Sequence, residues 1–200
     1  MSRTETQLQA IREKTRIKIL EAATRVFTRR GFAAANMLDI SREASISVGL
    51  IYRHFKTKEE LFGALLKQAA TGLGGVTQFF TQPLPPEQLF QSFTDEIVND
   101  LRHNDDFSNF MVLISQAYMI EDFIPEVNEL VKQNRMMVKQ VAAVILNGQK
   151  RGVFKPGDPE AMALYYFSSI QGLSESKFAL KDKFLLPTPE ILLGFLIKER

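Results

Sequence analysis

The stretch that decides the fold is DISREASISVGLIYRHFKTKEELF, residues 39–62. Its apolar residues recur at helical spacing on both sides of Ser45-Ile46-Ser47, a segment short enough to be only a turn, whose last serine can cap a following helix. Thr57 and Glu60 match a capping box, which marks the start of another helix. The stretch therefore predicts two short helices joined by a tight turn, the second from Val48 to Phe55, and a longer helix that begins at Thr57.

Helical periodicity continues on either side of this stretch, and alternating strand-like runs are scarce. A first helix over residues 8–30 ends before Gly31, because glycine adopts the left-handed conformation that closes a helix. Asn36 is a candidate N-cap for the next helix. The sequence predicts an all-α fold, with further helices over residues 86–103, 106–119, 124–150, 159–180 and 188–199.

Two short helices joined by a three- or four-residue turn have the geometry of a helix-turn-helix, whose second helix enters the major groove of DNA. Tyr52, His54 and Lys58 carry donors suited to phosphate oxygens, and Arg53 is suited to a guanine edge. The pattern predicts a DNA-contacting set made of Asn36, Met37, Ser47, Val48, Gly49, Leu50, Tyr52, Arg53, His54 and Lys58.

The charge of the chain is divided unevenly along its length. Residues 1–58 hold 12 Lys and Arg against 5 Asp and Glu, whereas residues 59–200 hold 13 against 18. A basic N-terminal part and an acidic remainder indicate that only the N-terminal part meets a polyanion. We expect a DNA-binding domain over residues 1–56 and a second domain over residues 57–200, to which the family resemblance described next gives ligand binding and dimerisation.

The stretches TRIKILEAATRVFTRRGF (residues 15–32) and 39–62 together resemble the DNA-binding part of the TetR family of regulators. This resemblance covers roughly residues 15–66 and implies a homodimer of helical chains whose C-terminal part binds a ligand. It also implies phosphate contacts from Tyr52, His54 and Lys58. The chain departs from the family pattern where Ser45 replaces a usual glycine, Ala35 a common threonine, and Val48 a frequently polar residue.

The C-terminal part has no motif-level resemblance, so its sites are predicted from apolar patterns. Helices that are apolar almost all round need cover on every side, and a second chain is one source of that cover. On this ground the predicted dimer interface comprises Met162, Tyr165, Ile170, Leu173, Leu192, Phe195 and Leu196. Methionine and aromatic side chains also suit an adaptable apolar pocket. The predicted pocket comprises Phe90, Phe93, Phe107, Phe110, Met111, Ser115, Tyr118, Met137, Tyr166 and Ile170, although an ordinary core explains the same pattern.

The sequence therefore predicts a dimeric repressor that leaves a palindromic double-stranded operator when a small, largely apolar effector binds, with a positive charge on the effector compatible with the acidic body. The alternatives are an activator, a regulator controlled by another protein, and, more remotely, an enzyme. No cysteine and only two histidines leave little material for a metal centre or a catalytic triad, so no metal and no cofactor are expected. No apolar run is long enough to cross a membrane, and we expect a cytoplasmic protein.

Overall fold

The structure is a computed structural model that describes residues 5–119 and 124–198. Within these ranges the chain is helical, and its only β-type contact is one isolated antiparallel bridge between Phe154 and Ile197. This confirms the predicted all-α class. None of the described helices combines the length and the hydropathy that a membrane crossing needs. The helices are α1 (Glu5–Ala34), α2 (Met37–Glu43), α3 (Val48–His54), α4 (Lys58–Phe79), α5 (Pro86–His103), α6 (Asp105–Ala117), α7 (Glu126–Lys150), α8 (Pro159–Leu180) and α9 (Pro189–Leu193), with a 3-10 turn at Lys181–Lys183.

Helices α1 to α4 enclose a cluster of buried side chains that we call the N-terminal core. Phe27 of α1 meets Phe62 of α4 edge-on, with ring centroids 5.0 Å apart, and Phe32 lies 4.8 Å from the same ring. Helices α2 and α3 add their inward faces to this cluster, and α6 closes it from the body side. Its fully buried members include Ile19, Phe27, Ile40, Ala44, Ile51, Phe55, Leu61, Phe62, Leu65, Leu113 and Ala117.

A second cluster, the body core, lies among α5, α7, α8 and α9. Its centre is a group of aromatic rings at edge-to-face angles, formed by Phe80, Phe90, Phe154 and Tyr166. The Tyr166 hydroxyl and Thr94 Oγ1 lie 2.7 Å apart, so the one polar group in this aromatic cluster has a partner. Burial therefore follows aromatic packing here, as in a close-packed protein interior.

Helix α4 belongs to both cores. Leu61 to Ala70 pack in the N-terminal core, while Val76 and Phe79 pack against the body core. This helix therefore contacts both clusters. The division of the chain after residue 56 stays a prediction.

Two predicted helix ends differ in their outcome. Gly31 has φ 74° inside α1, so the regular helix breaks at the predicted glycine. The predicted helix over 188–199 is wrong in length, because α9 ends at Leu193 and residues 199–200 lie outside the described residues. After α9 the chain pairs with the segment that follows α7: Lys155 donates its N–H to Leu196 O at 2.8 Å, and Lys198 to Val153 O at 3.2 Å.

Candidate nucleic-acid interface

The turn between α2 and α3 closes α2 with a two-bond cap. Ile46 N donates to Ser41 O at 3.1 Å, and Ser45 N donates to Arg42 O at 3.0 Å. This pattern needs a left-handed residue after the C-cap, and Ser45 takes that conformation with φ 50°. A non-glycine residue there costs about 1–2 kcal/mol. The turn keeps its geometry without the glycine, and the surrounding core supports the strain.

Side-chain caps fix where each helix of this region begins. Each cap accepts a backbone N–H three residues on, as expected of N-caps, and Glu60 additionally accepts the N–H of Lys56 at 2.6 Å. The start of α3 is therefore held by its own sequence as well as by packing. The caps are Asn36 for α2 at 2.9 Å, Ser47 for α3 at 3.2 Å and Thr57 for α4 at 3.0 Å.

Helix α3 buries one face and presents the other. Ile51 is fully buried, whereas Tyr52 and Arg53 are exposed and His54 is half-buried. A Cβ built at Gly49 meets nothing within 4 Å, so the backbone there is open to close approach by another molecule. Met37 differs from its prediction as a DNA contact, because its side chain is buried in the N-terminal core.

The Lys58 ammonium group also differs from the prediction that it binds phosphate. It donates to three backbone carbonyls at the end of α1: those of Phe32 at 2.8 Å, Ala33 at 3.0 Å and Ala35 at 3.1 Å. It also lies 4.7 Å from the centroid of the Phe32 ring. All three of its protons are thus engaged, and a cation at carbonyls left without helical partners is electrostatically favourable. Lys58 ties the start of α4 to the end of α1.

Two arginines of α1 lie beside α3 and were not in the predicted set. The Arg16 guanidinium lies over the Phe55 ring, 4.7 Å from its centroid. Burial, with the nearby charges of Arg12 and then Arg16, lowers the pKa of His54 below its usual 6.5, against a smaller opposing effect of Glu13. The sequence did not predict that these arginines lie beside α3, because α1 and α3 are far apart in the chain. The open face of α3 is therefore flanked by two further cations.

Ion pairs hold α1 against α2. Arg25 Nε lies 2.7 Å from Glu43 Oε1, and Arg30 Nη1 lies 2.6 Å from Asp39 Oδ2. Arg25 also faces Asp106 of α6 at 3.8 Å. The orientation of the helix-turn-helix is thus linked through α1 to the body.

Known proteins share this arrangement. Residues 19–65 match the model of the family described as bacterial regulatory proteins, tetR family. The DNA-binding part of this chain is thus a TetR-family helix-turn-helix. It is 26% identical over 161 residues to the uncharacterised HTH-type transcriptional regulator YfiR of Bacillus subtilis, covering 78% of this chain and 76% of that protein. It is 44% identical over 62 residues to the HTH-type transcriptional repressor Rv3405c of Mycobacterium tuberculosis, covering 31% and 33%.

A solved structure gives the same fold for nearly the whole chain. The SmeT–triclosan complex superposes with a TM-score of 0.66 at 18% identity, covering 93% of each chain. This structure shows the shared fold, and the sequence matches make the protein a DNA-binding transcriptional regulator with a helix-turn-helix.

The predicted pocket residues are divided between the two cores. Phe90, Phe93, Met137, Tyr166 and Ile170 are buried members of the body core, and Phe107 packs against it. Phe110 and Met111 pack against the N-terminal core, Ser115 is half-buried, and Tyr118 is exposed.

An open cavity of about 720 Å³ lies elsewhere, where α5, α6 and α8 meet the segment after α8 and Arg29 of α1. Charged residues make up much of its lining, which a search for aromatic stripes does not detect. The lining residues are Arg29, Leu101, Arg102, Asp105, Ser108, Asn109, Lys177, Phe178, Lys181, Asp182, Phe184 and Leu186.

The predicted dimer residues also fall into two groups, buried and at least partly exposed. Ile170 and Leu196 are buried inside the chain, which corrects their placement at an interface. Tyr165 is exposed, and Met162, Leu173, Leu192 and Phe195 are half-buried. In the described part of the chain, no three His, Asp or Glu side chains gather as a metal site would need.

We expect Lys58→Met to destabilise the fold while leaving the salt dependence of DNA binding unchanged, because the ammonium binds carbonyls and not phosphate. Loss of its charged hydrogen bonds should cost about 1–3 kcal/mol, lowering the Tm by about 2–4 °C per kcal/mol. Thermal unfolding followed by circular dichroism measures this, with Lys18→Met, an exposed lysine of α1, as the matched control. An unchanged Tm together with a weaker salt dependence of DNA binding would show that Lys58 contacts phosphate.

We expect the His54 ring to titrate below pH 6.5, and the double substitution Arg12→Gln, Arg16→Gln to raise its pKa. The native state then takes up this proton at lower pH than the unfolded chain, so native stability falls as the pH drops below 6.5. Proton NMR of the two histidine rings measures both values, with His103→Asn assigning the second resonance. A His54 pKa that ignores the arginine substitutions would show that α1 does not face it in solution.

Proposed function

We propose that this chain is a dimeric repressor that binds a palindromic operator through α3 and leaves it when a small molecule occupies the body. The observation that carries the proposal is the open face of α3, with Tyr52 and Arg53 exposed beside His54 on a helix whose other face is locked into the N-terminal core. Such a helix is a rigid element for the major groove. The relative Rv3405c, which is 44% identical over 62 residues, is a transcriptional repressor.

The contacts divide into positioning and reading. Tyr52, His54, and Arg12 with Arg16 of α1 anchor phosphates on the two strands that flank the groove. The backbone N–H groups at the start of α4, which begins at Lys58, add a further phosphate site. Arg53 reads a guanine edge, while Val48 and Leu50 contact thymine methyl groups. At Gly49 the backbone approaches the duplex closely. The N-caps Asn36 and Ser47 also lie next to the duplex.

The dimer forms through the exposed face of α8. Leu164 and Tyr165 are 56% and 58% exposed, and Ile191 of α9 is 69% exposed, which is unusual for apolar side chains without a partner. Gly172, two turns further along α8, has open space where a Cβ would be. A small residue at the centre of an apolar stripe allows two helices to approach closely. Met162, Leu173, Leu192 and Phe195 border this face.

Release follows from the position of α4 in both cores. A ligand that favours a different packing of the body shifts the population toward a tilted α4. The two α3 helices of the dimer then no longer match successive major grooves, which lie roughly 34–36 Å apart. The relatives of this chain are transcriptional regulators, and the chain acts by binding, with no catalytic step. The SmeT–triclosan complex shows a small molecule on the same fold.

We expect Tyr52→Phe to weaken binding to all DNA sequences by a similar factor, whereas Arg53→Ala relaxes discrimination at one base pair of each half-site by about 1–3 kcal/mol. Fluorescence anisotropy measures this with labelled fragments from beside the gene and with single-base variants of the bound fragment. Arg135→Ala on α7 is the matched control. Failure of the wild-type protein to retain any fragment at moderate salt would contradict the proposed function, and identical behaviour of the two variants would remove the division of roles.

We expect Leu164→Glu to convert the dimer to a monomer. At a symmetric interface the new carboxylate is buried beside the same carboxylate of the partner, and the two repel each other. Analytical ultracentrifugation over a range of concentrations measures the mass. Leu146→Glu, an exposed leucine on α7, controls for the added charge and should remain dimeric. A wild-type protein that sediments as a monomer would overturn this interface.

A further inference from the structure

The cavity beside α6 is lined by more cationic than acidic side chains. Four of its lining side chains are cationic, namely Arg29, Arg102, Lys177 and Lys181, whereas only Asp105 and Asp182 are acidic. Lys177 is satisfied by Asp105, with Nζ and Oδ1 2.8 Å apart. The cavity therefore has an excess of positive charge in a body whose overall charge is negative.

Two of these cations have no side-chain partner among the described residues. Neither Arg102 nor Lys181 makes an ion pair or a side-chain hydrogen bond with any residue in the ranges 5–119 and 124–198. They approach the cavity from the end of α5 and from the turn after α8. A guanidinium group offers paired donors that match the two oxygens of a carboxylate.

Ser108 adds an unsatisfied polar group at the same place. It lines the cavity from the first turns of α6, is only 3% exposed, and its Oγ has no hydrogen-bond partner among the described residues. Buried hydroxyl groups nearly always have partners, so an unpaired one beside a cavity indicates a missing acceptor. A carboxylate oxygen in the cavity supplies that acceptor.

Apolar side chains also line the cavity, namely Leu101, Phe178, Phe184 and Leu186. A volume of about 720 Å³ lies within the range of small-molecule sites. The cavity thus combines apolar side chains with cationic and hydroxyl groups.

We propose that the effector is an amphipathic carboxylate, whose head group is held by Arg102, Lys181 and Ser108 and whose apolar part lies on Phe178, Phe184 and Leu186. This inference rests on the proposed ligand-released function and names the site and chemical class of the ligand. It replaces the expectation of a neutral or cationic effector in the aromatic body core.

Arg29 connects this cavity to the DNA-binding helices. It belongs to α1, and its Nη1 lies 3.4 Å from Glu43 Oε2 at the end of α2. An anion in the cavity competes with Glu43 for the Arg29 guanidinium. Glu43 is also the partner of Arg25, which faces Asp106 of α6. Occupation of the cavity therefore weakens one of the ion pairs that hold α2 to α1.

The test is calorimetric titration of the full-length protein, without DNA, with three probes that share a ten-carbon tail: decanoate, decanol and decyltrimethylammonium. We expect decanoate to bind at least about tenfold more tightly than the other two, as charge-assisted hydrogen bonds require. Arg102→Gln and Ser108→Ala should each weaken decanoate binding severalfold, while Arg151→Gln, an exposed arginine after α7, should not. Circular dichroism confirms that each variant is folded.

Equal binding of the three probes, no binding of decanoate, or decanoate binding that ignores both Arg102→Gln and Ser108→Ala would overturn the inference. DNA retention measured in parallel separates this from the proposed function. A protein that binds DNA but not decanoate loses only the cavity assignment. Decanoate that binds in the predicted manner and does not release DNA supports the site but contradicts release through it. If decanoate binds to Arg29→Gln without releasing DNA, the coupling through Arg29 is supported. If decanoate still releases DNA from this variant, the Arg29 step is contradicted.

Discussion

The geometry of the molecule depends on how the end of α1 is joined to the start of α4. Gly31 breaks α1 with a positive φ, which leaves the carbonyls that follow without helical partners. Lys58 binds three of them, and the rings of Phe32 and Phe62 pack beside it. Since α2 and α3 lie between these two points in the chain, this junction fixes the frame on which the helix-turn-helix is built. Lys58 is half-buried, and these three hydrogen bonds engage its ammonium group within the chain.

The same frame makes the DNA-binding part sensitive to the body. The N-terminal core is completed by Leu113 and Ala117 of α6, and Gln116 of that helix donates to Thr28 O at 3.1 Å. Helix α4 then carries the connection into the body core. Close-packed cores switch between discrete arrangements and do not deform smoothly, so on the proposed function we expect a repacking beside α6 to reach α1 and α4. The cavity lies at this contact between the two parts, and not at the centre of the aromatic cluster.

The aromatic residues of the body show why apolar composition is a poor guide to a ligand site. Phe90, Phe93 and Tyr166 fill one another's surroundings, and the Tyr166 hydroxyl is satisfied by Thr94. None of these three residues lines the cavity of about 720 Å³. The cavity is lined instead by side chains from α1, α5, α6 and α8. Residues that far apart in the chain carry no shared periodicity, and sequence patterns therefore do not reveal it.

The sequence by itself determined the features that depend on residues within a few positions of one another. The caps at Asn36, Ser47 and Thr57 are local, because each side chain meets a backbone group three residues away. The break at Gly31 and the left-handed turn at Ser45 are local, because each depends on the backbone of a few neighbouring residues. These features are enough for the helix-turn-helix and the all-α class. Tertiary structure decided the rest. It buried Met37, turned the Lys58 ammonium toward α1, brought Arg12 and Arg16 to His54, and ended α9 at Leu193, because each outcome depends on which distant helices pack together.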